Sequence, residues 1–158
     1  MQCLGLLAEK STLLMITVLM GAPGAGKTTW LKSNKSNEHI YSTELVRVDR
    51  EIDVDYYMNA IRVKAVRAAE FGKDIIADGT HTITQHRSFW LRLANRLEIQ
   101  TRLIVFDTSL PLLIAGNARR EHPCPTQVLR KHHVRMQSAK QIIKREQWDE
   151  VETLVRNV

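Results

Sequence analysis

Cysteine is almost missing from this chain, with Cys3 and Cys124 the only two in 158 residues. Two isolated cysteines make neither a disulfide framework nor a C-x-x-C site, which excludes the small stapled domains of secreted proteins and points to a reducing, cytoplasmic setting. Long apolar runs are missing too. None reaches the about 20 residues that cross a bilayer, so no membrane span is expected. The opening stretch from Met1 to Leu14 carries Glu9 and Lys10 and lacks a long apolar core, so it does not read as a signal peptide. We take residues 1–14 as an N-terminal extension and 15–158 as one domain. His81, His86, His122 and His133 share no metal-ligand spacing with cysteine or acid, which argues against zinc. No internal repeat, low-complexity tract or linker is visible, and no N-K-x-D motif follows a strand, which excludes a GTPase switch.

What is present is an ordinary globular composition, 44% hydrophobic and 25% charged, with a net charge of +6. A basic balance favours polyanionic partners: nucleic acid, or the phosphates of a nucleotide. Three of the seven glycines fall in one short stretch, Gly21-Ala22-Pro23-Gly24-Ala25-Gly26-Lys27-Thr28-Thr29. It fits G-x-x-x-x-G-K-S/T in full, after the apolar run Leu13–Leu19 and before Trp30-Leu31. A strand that delivers such a loop and a helix that leaves it make a phosphate cradle. Glycines let the backbone curl its N–H groups inward, and the helix N-terminus adds partial positive charge. Gly21, Gly24, Ala25, Gly26 and Thr29 would line the cradle, Lys27 would reach the β- and γ-phosphates, and the Thr28 hydroxyl would sit on Mg²⁺. ATP or another NTP with Mg²⁺ is therefore expected.

The rest of the pattern alternates strands and helices. Strands are expected at about Leu14–Met20, His39–Ser42, Ile75–Asp78 and Thr101–Phe106. Helices are expected at Lys27–Ser33, from Val54 to a glycine cap at Gly72, after the capping-box spacing Thr82-x-x-Gln85, from Ser109-Leu110-Pro111 to about Arg119, and from Thr126 onward. Trp148, Val151, Leu154 and Val155 are expected to finish or extend that last helix. His132 falls on its apolar face and reads as a packed core histidine, and Trp30, Phe89 and Trp90 read as packing residues. The fold class is α/β: a three-layer P-loop NTPase fold with a parallel sheet of four to five strands and a helical lid.

Ligands in such sheets bind at the carboxyl ends of the strands. Four polar sets should converge there: the P-loop, Ser42-Thr43-Glu44, Asp78-Gly79-Thr80-His81 and Asp107-Thr108. Glu44 has the position of a general base, with Asp49, Asp53 and Asp55 as rivals. Asp78 follows its strand as a metal- or acceptor-binding carboxylate would. Phosphoryl transfer needs cations closing over the γ-phosphate, and Arg119 or Arg120, between a helix and the stiff His122-Pro123-Cys124-Pro125 connector, would supply them.

These residues resemble a known family. Gly21-x-Pro23-Gly24-Ala25-Gly26-Lys27-Thr28-Thr29-Trp30, with its proline and tryptophan, is similar to the P-loop of the 5′-kinase domain of phage-type polynucleotide kinases, within the wider P-loop kinase group that includes zeta-toxin-like kinases. Glu44-Leu45-Val46-Arg47 is similar to that family's D-x-x-R element, Ile76-Ala77-Asp78-Gly79-Thr80 with the later Arg87 to its strand-Asp-Thr element, and Asn117-Ala118-Arg119-Arg120 to its lid. The resemblance implies a kinase that phosphorylates a 5′-hydroxyl of DNA or RNA. Lys27, Glu44 and Arg120 would be catalytic, and Arg47, Asp78, Thr80 and Arg87 would hold the acceptor. Any ligase or phosphatase partner would be a separate protein. Two departures stand out: the family's aspartate is Glu44 here, and the earlier of two lid arginines is Gly116. A small hydroxyl acceptor (nucleoside, nucleotide-sugar or modified base) and a non-catalytic nucleotide-gated module are the alternatives.

Overall fold

The computed structural model describes residues 13–34, 39–42 and 54–156. The elements run β1 (Met15–Met20), α1 (Lys27–Ser33), β2 (His39–Ser42), α2 (Val54–Glu70), β3 (Ile75–Asp78), α3 (Thr84–Leu97), β4 (Gln100–Thr108), α4 (Leu110–Ala118), α5 (Thr126–Ile142) and β5 (Glu150–Arg156), with a short 3-10 turn at Ile143–Arg145. All four strand pairings are parallel, and the order across the sheet is β2-β3-β1-β4-β5. The chain leaves β1 for one edge, returns through β3, and then crosses to β4 on the other side. That reversal puts the end of β1 at the switch point, where an open parallel sheet leaves a crevice.

The strands are short apolar runs because both faces are covered. Ile16, Val18, Met20, Ile75, Ala77, Leu103 and Val105 point to a layer formed by α2, α3 and α5, where they meet Ile61, Ala65, Phe89, Trp90, Leu93 and Met136. Their neighbours Leu19, Ile76, Ile104 and Phe106 point to the opposite layer and meet Leu31 of α1 and Leu113 of α4. This is the period-two split of a strand, with each fully buried aliphatic side chain contributing about 1.5–3 kcal/mol. The result is the expected three-layer α/β P-loop fold.

Helix ends follow local chemistry. Gly72 takes φ +66, and the N–H groups of Gly72 and Lys73 bond the carbonyls of Ala69 and Ala68, a Schellman stop for α2. Glu98 makes the same stop for α3 at φ 55, an unusual conformation for a residue with a side chain. Pro111 sits in the first turn of α4, where its missing N–H costs nothing.

Two expectations are corrected. The residues from Glu150 to Arg156 do not continue the last helix. They form β5, a fifth parallel strand beside β4, in register Leu103↔Val151 through Thr108↔Arg156. The capping box at Thr82 does not form either. The N-cap of α3 is Ile83, without a side-chain cap, and the Thr82 hydroxyl lies 3.4 Å from Nδ1 of His132. His132 is 4% exposed, the packed core histidine its apolar face implied.

Candidate active site

The carboxyl ends of the strands open onto a cleft of about 570 Å³. The P-loop from Pro23 to Thr29 forms one wall, Asp78 at the end of β3 a second, and α4 with Arg119 and Arg120 a third. Arg156, at the end of β5, completes it. Among the described residues, four cationic side chains (Lys27, Arg119, Arg120, Arg156) face one carboxylate, Asp78. That imbalance suits a polyphosphate.

The loop owes its shape to glycine at the points of closest approach. Gly26 adopts φ +103 as the N-cap of α1, and Gly24 adopts φ +83. A β-carbon on Gly24 would lie 2.7 Å from the Leu113 carbonyl oxygen, and one on Gly21 would lie 2.8 Å from the β-carbon of Phe106. The loop is anchored from two sides and braced within itself. The Gly21 N–H donates to the Thr80 carbonyl at 2.9 Å, the Ala25 N–H donates to the Ala22 carbonyl at 3.1 Å, and the Thr108 hydroxyl donates to the Ala25 carbonyl at 3.2 Å. Lys27 is only 6% exposed and donates from Nζ to the carbonyls of Gly21 at 2.7 Å and Ala22 at 2.9 Å. Its ammonium therefore lies folded along the loop it would share with a phosphate. Thr28 and Thr29 are exposed on the cleft side.

The lid has a defined base. Asn117, 5% exposed, accepts from the Cys124 N–H at 3.0 Å and donates from Nδ2 to the Cys124 carbonyl at 2.8 Å. This clasp closes the loop that carries Arg119 and Arg120 and leaves Glu121 and His122 exposed at its tip. Gly116, where a further lid arginine was expected, lies against the P-loop instead. A β-carbon there would meet the Gly24 carbonyl oxygen at 2.5 Å, so no side chain fits.

Beneath the Asp78 loop lies His81, 2% exposed, at φ 46. Its Nδ1 is 2.7 Å from the Leu19 carbonyl, and its Nε2 accepts from the Trp90 indole N–H at 3.1 Å. Because indole can only donate, the proton belongs on Nδ1 and the ring is neutral and fully bonded. Burial drives its pKa down to about 4, a fall that the bond to Leu19 only partly offsets. It positions the loop and stays uncharged.

Of the sequence-based site residues, the cleft unites Gly24, Ala25, Gly26, Lys27, Thr28, Thr29, Asp78, Arg119 and Arg120. Gly21 and Thr80 join through the hydrogen bond that ties the end of β3 to the loop. Glu44 and Arg47 lie outside the described residues, as do Asp49 and Asp53. Arg87, expected at the acceptor, is placed elsewhere. Its side chain is 0% exposed, its Nε and Nη2 bond Glu146 at 2.8–3.0 Å, and its Nη1 donates to the His81 carbonyl at 2.9 Å. Trp148 donates to the same carboxylate at 2.8 Å. Asp107 is likewise engaged away from the cleft, paired with Lys140 of α5 at 2.6 Å. Sequence reading missed Arg156, whose Nη1 would lie 2.9 Å from a β-carbon on Gly26. The signal was the period-two alternation of Val151, Thr153 and Val155, which marks a strand, and a parallel strand ends at the cleft.

A glycine-cradled loop, a buried lysine folded onto it and a cationic lid at a switch point define a P-loop nucleotide-binding domain of the kinase-like kind. The chain belongs to the family described as an AAA domain, whose model matches residues 16–142. Solved structures share the fold. A chain of the Pnkp1/Rnl/Hen1 RNA repair complex superposes with TM-score 0.67 at 17% identity, over 82% of this chain and 46% of that one. The chain thus spans just under half the length of that relative. Kti12 of Chaetomium thermophilum, in complex with ADP-AlF3, superposes with TM-score 0.63 at 14% identity, over 90% of this chain and 89% of that one. APE1195 follows with TM-score 0.54 at 18% identity, over 89% and 85%.

Proposed function

We infer that the protein transfers the γ-phosphate of ATP to a 5′-hydroxyl of DNA or RNA. The observation that carries this reading is the cleft, in which Lys27, Thr28, Arg119, Arg120 and Arg156 surround space for a triphosphate and Asp78 faces it. Similarity to a chain of an RNA repair complex supports the choice of acceptor. The donor site fits the group it would hold. Gly24 and Gly26, both at positive φ, give the loop its curled path, and four cations match the charge of a nucleotide.

In this reading the loop N–H groups and Lys27 bind the β- and γ-phosphates, and Arg119 and Arg120 close over the equatorial oxygens. Arg47 holds the acceptor backbone, with Asp78 and Thr80 beside it. Glu44 accepts the proton of the 5′-hydroxyl as its oxygen forms a bond to the γ-phosphorus. The bond from that phosphorus to the β–γ bridging oxygen breaks, and ADP leaves with the electron pair. A base in that position contributes typically 10²- to 10⁴-fold. Bound Mg²⁺, held through Thr28, would neutralise charge on the β- and γ-oxygens. A cytoplasmic setting, with a ligase or phosphatase as a possible partner activity, belongs to the same reading.

The test is an acceptor panel. With γ-labelled ATP, 5′-hydroxyl oligonucleotides should take up label at the 5′ end, while the same oligonucleotides already 5′-phosphorylated should not. Labelling of nucleosides or nucleotide-sugars in place of DNA and RNA would move the acceptor to a small molecule.

A further inference from the structure

The layer of α2 and α3 carries a feature that the cleft does not use. Arg62 of α2 and Arg92 and Arg96 of α3 converge with Phe89 and Leu93 on a concavity of about 50 Å³. All three arginines are exposed. Arg62 is held in place, with its guanidinium carbon 5.6 Å from the centre of the Phe89 ring. Among the described residues no carboxylate pairs with any of the three. The α2–α3 layer also exposes Lys64, Arg67 and Lys73, against the exposed carboxylates Glu70 and Glu98. Arginines on a solvated helix face normally spread apart or pair with acids at i±4. Three that gather around one hollow repel each other, and an anion relieves that repulsion. The hollow has room for a few waters, which is the scale of one phosphate group rather than of a sugar and base.

Its position favours a polymer over a free ion. In the β2-α2-β3 and β3-α3-β4 units each helix starts at the cleft edge of the sheet and runs away from it. Arg62 lies eight residues from Val54, and Arg92 eight residues from Thr84. At 1.5 Å per residue both stand about 12 Å below that edge. We propose that Arg62, Arg92 and Arg96 form a backbone-phosphate site for single-stranded nucleic acid, gripping the strand a few nucleotides beyond the end that enters the cleft. Guanidinium forks suit phosphate oxygens and read no base, so the site adds affinity without sequence preference. The proposal rests on the nucleic-acid acceptor read above.

The test is the binding of the full chain to a 3′-fluorescein, 5′-hydroxyl 20-mer, followed by anisotropy across a salt series. Replacing all three arginines by alanine should weaken binding at least tenfold. It should also flatten the log–log salt dependence by about 0.7, the share of one phosphate that is no longer neutralised. The triple lysine variant should keep most of the slope. Lys32→Ala, exposed on α1 in the opposite layer, should leave both quantities unchanged. A triple-alanine protein that binds the 20-mer with wild-type affinity and slope overturns the site, as does a wild-type protein that binds no 20-mer. Phosphate transfer to a dinucleotide, too short to reach the hollow, is read in parallel. Transfer with an unchanged triple variant sinks only the phosphate site. Arginine-dependent binding without any transfer sinks only the kinase reading.

Discussion

Gly24 of the P-loop and Gly116 of α4 meet backbone to backbone, so closely that a β-carbon on Gly116 would stand 2.5 Å from the Gly24 carbonyl oxygen. The phosphate loop and the helix that leads into the lid arginines are therefore docked at a glycine–glycine contact. Gly116→Ala sets two effects against each other. Alanine in place of glycine within a helix gains about 1 kcal/mol of propensity, while overpacking against immobile backbone costs about 1–3 kcal/mol. The second wins, and it falls on the loop. We expect little change or a small loss in thermal stability, with at least a tenfold loss of ATP affinity by calorimetry. Unchanged affinity would show that the docking of the two glycines is incidental.

Arg156 reaches the P-loop from the far side, beside Gly26. Arg156→Ala should weaken nucleotide binding about tenfold, the scale of one charge-assisted hydrogen bond. The KM for the acceptor should barely move. A shift confined to the acceptor would instead place Arg156 on that side of the cleft.

Arg87 and Glu146 form a buried ion pair that joins α3 to the turn before β5. Removing one partner leaves the other charge buried, at a cost of about 3–5 kcal/mol. Arg87→Ala should therefore lower the unfolding free energy by several kcal/mol in urea. Any loss of activity should follow the folded fraction, with acceptor KM unchanged in the protein that remains folded. An acceptor-specific KM defect in a stably folded variant would restore Arg87 to substrate binding.

His81 gives the protein an acid limit. Its pKa is lowered from an ordinary 6.5 to about 4 in the folded chain, so the unfolded state binds more protons between those values. Its contribution is fully present above pH about 6.5 and is lost as pH falls toward 4. The total is on the order of 3 kcal/mol. Unfolding free energy measured across that range should decline with falling pH, and His81→Gln should flatten the decline. An equal slope in the variant would assign the acid sensitivity to carboxylates.

The P-loop, four of the strands and the α4–α5 connector were legible because each rests on local chemistry: the glycine pattern of Gly21 to Gly26, apolar runs such as Ile75–Ala77, and Pro123 with Pro125. Strand β5 was not. Its Val151 and Val155 are exposed at a sheet edge, and its pairing with β4 is a long-range choice that short alternation suggests only weakly. Arg156 was missed along with it. Arg87 was misplaced for a related reason. A lone arginine on a helix looks the same in sequence whether it meets a phosphate or a carboxylate 59 residues away. Gly116 looked like a missing arginine until its approach to Gly24 showed that only glycine fits.

Single-turnover transfer from γ-labelled ATP to a 5′-hydroxyl oligonucleotide, with the wild-type chain and Glu44→Gln side by side, decides whether the protein is a 5′-kinase. The wild type should place label on the 5′ terminal oxygen. With Glu44→Gln, transfer should slow by about 10² or more, while ATP binds both proteins with similar affinity. ATP binding with no transfer to DNA or RNA, single- or double-stranded, by either protein would contradict the 5′-kinase reading.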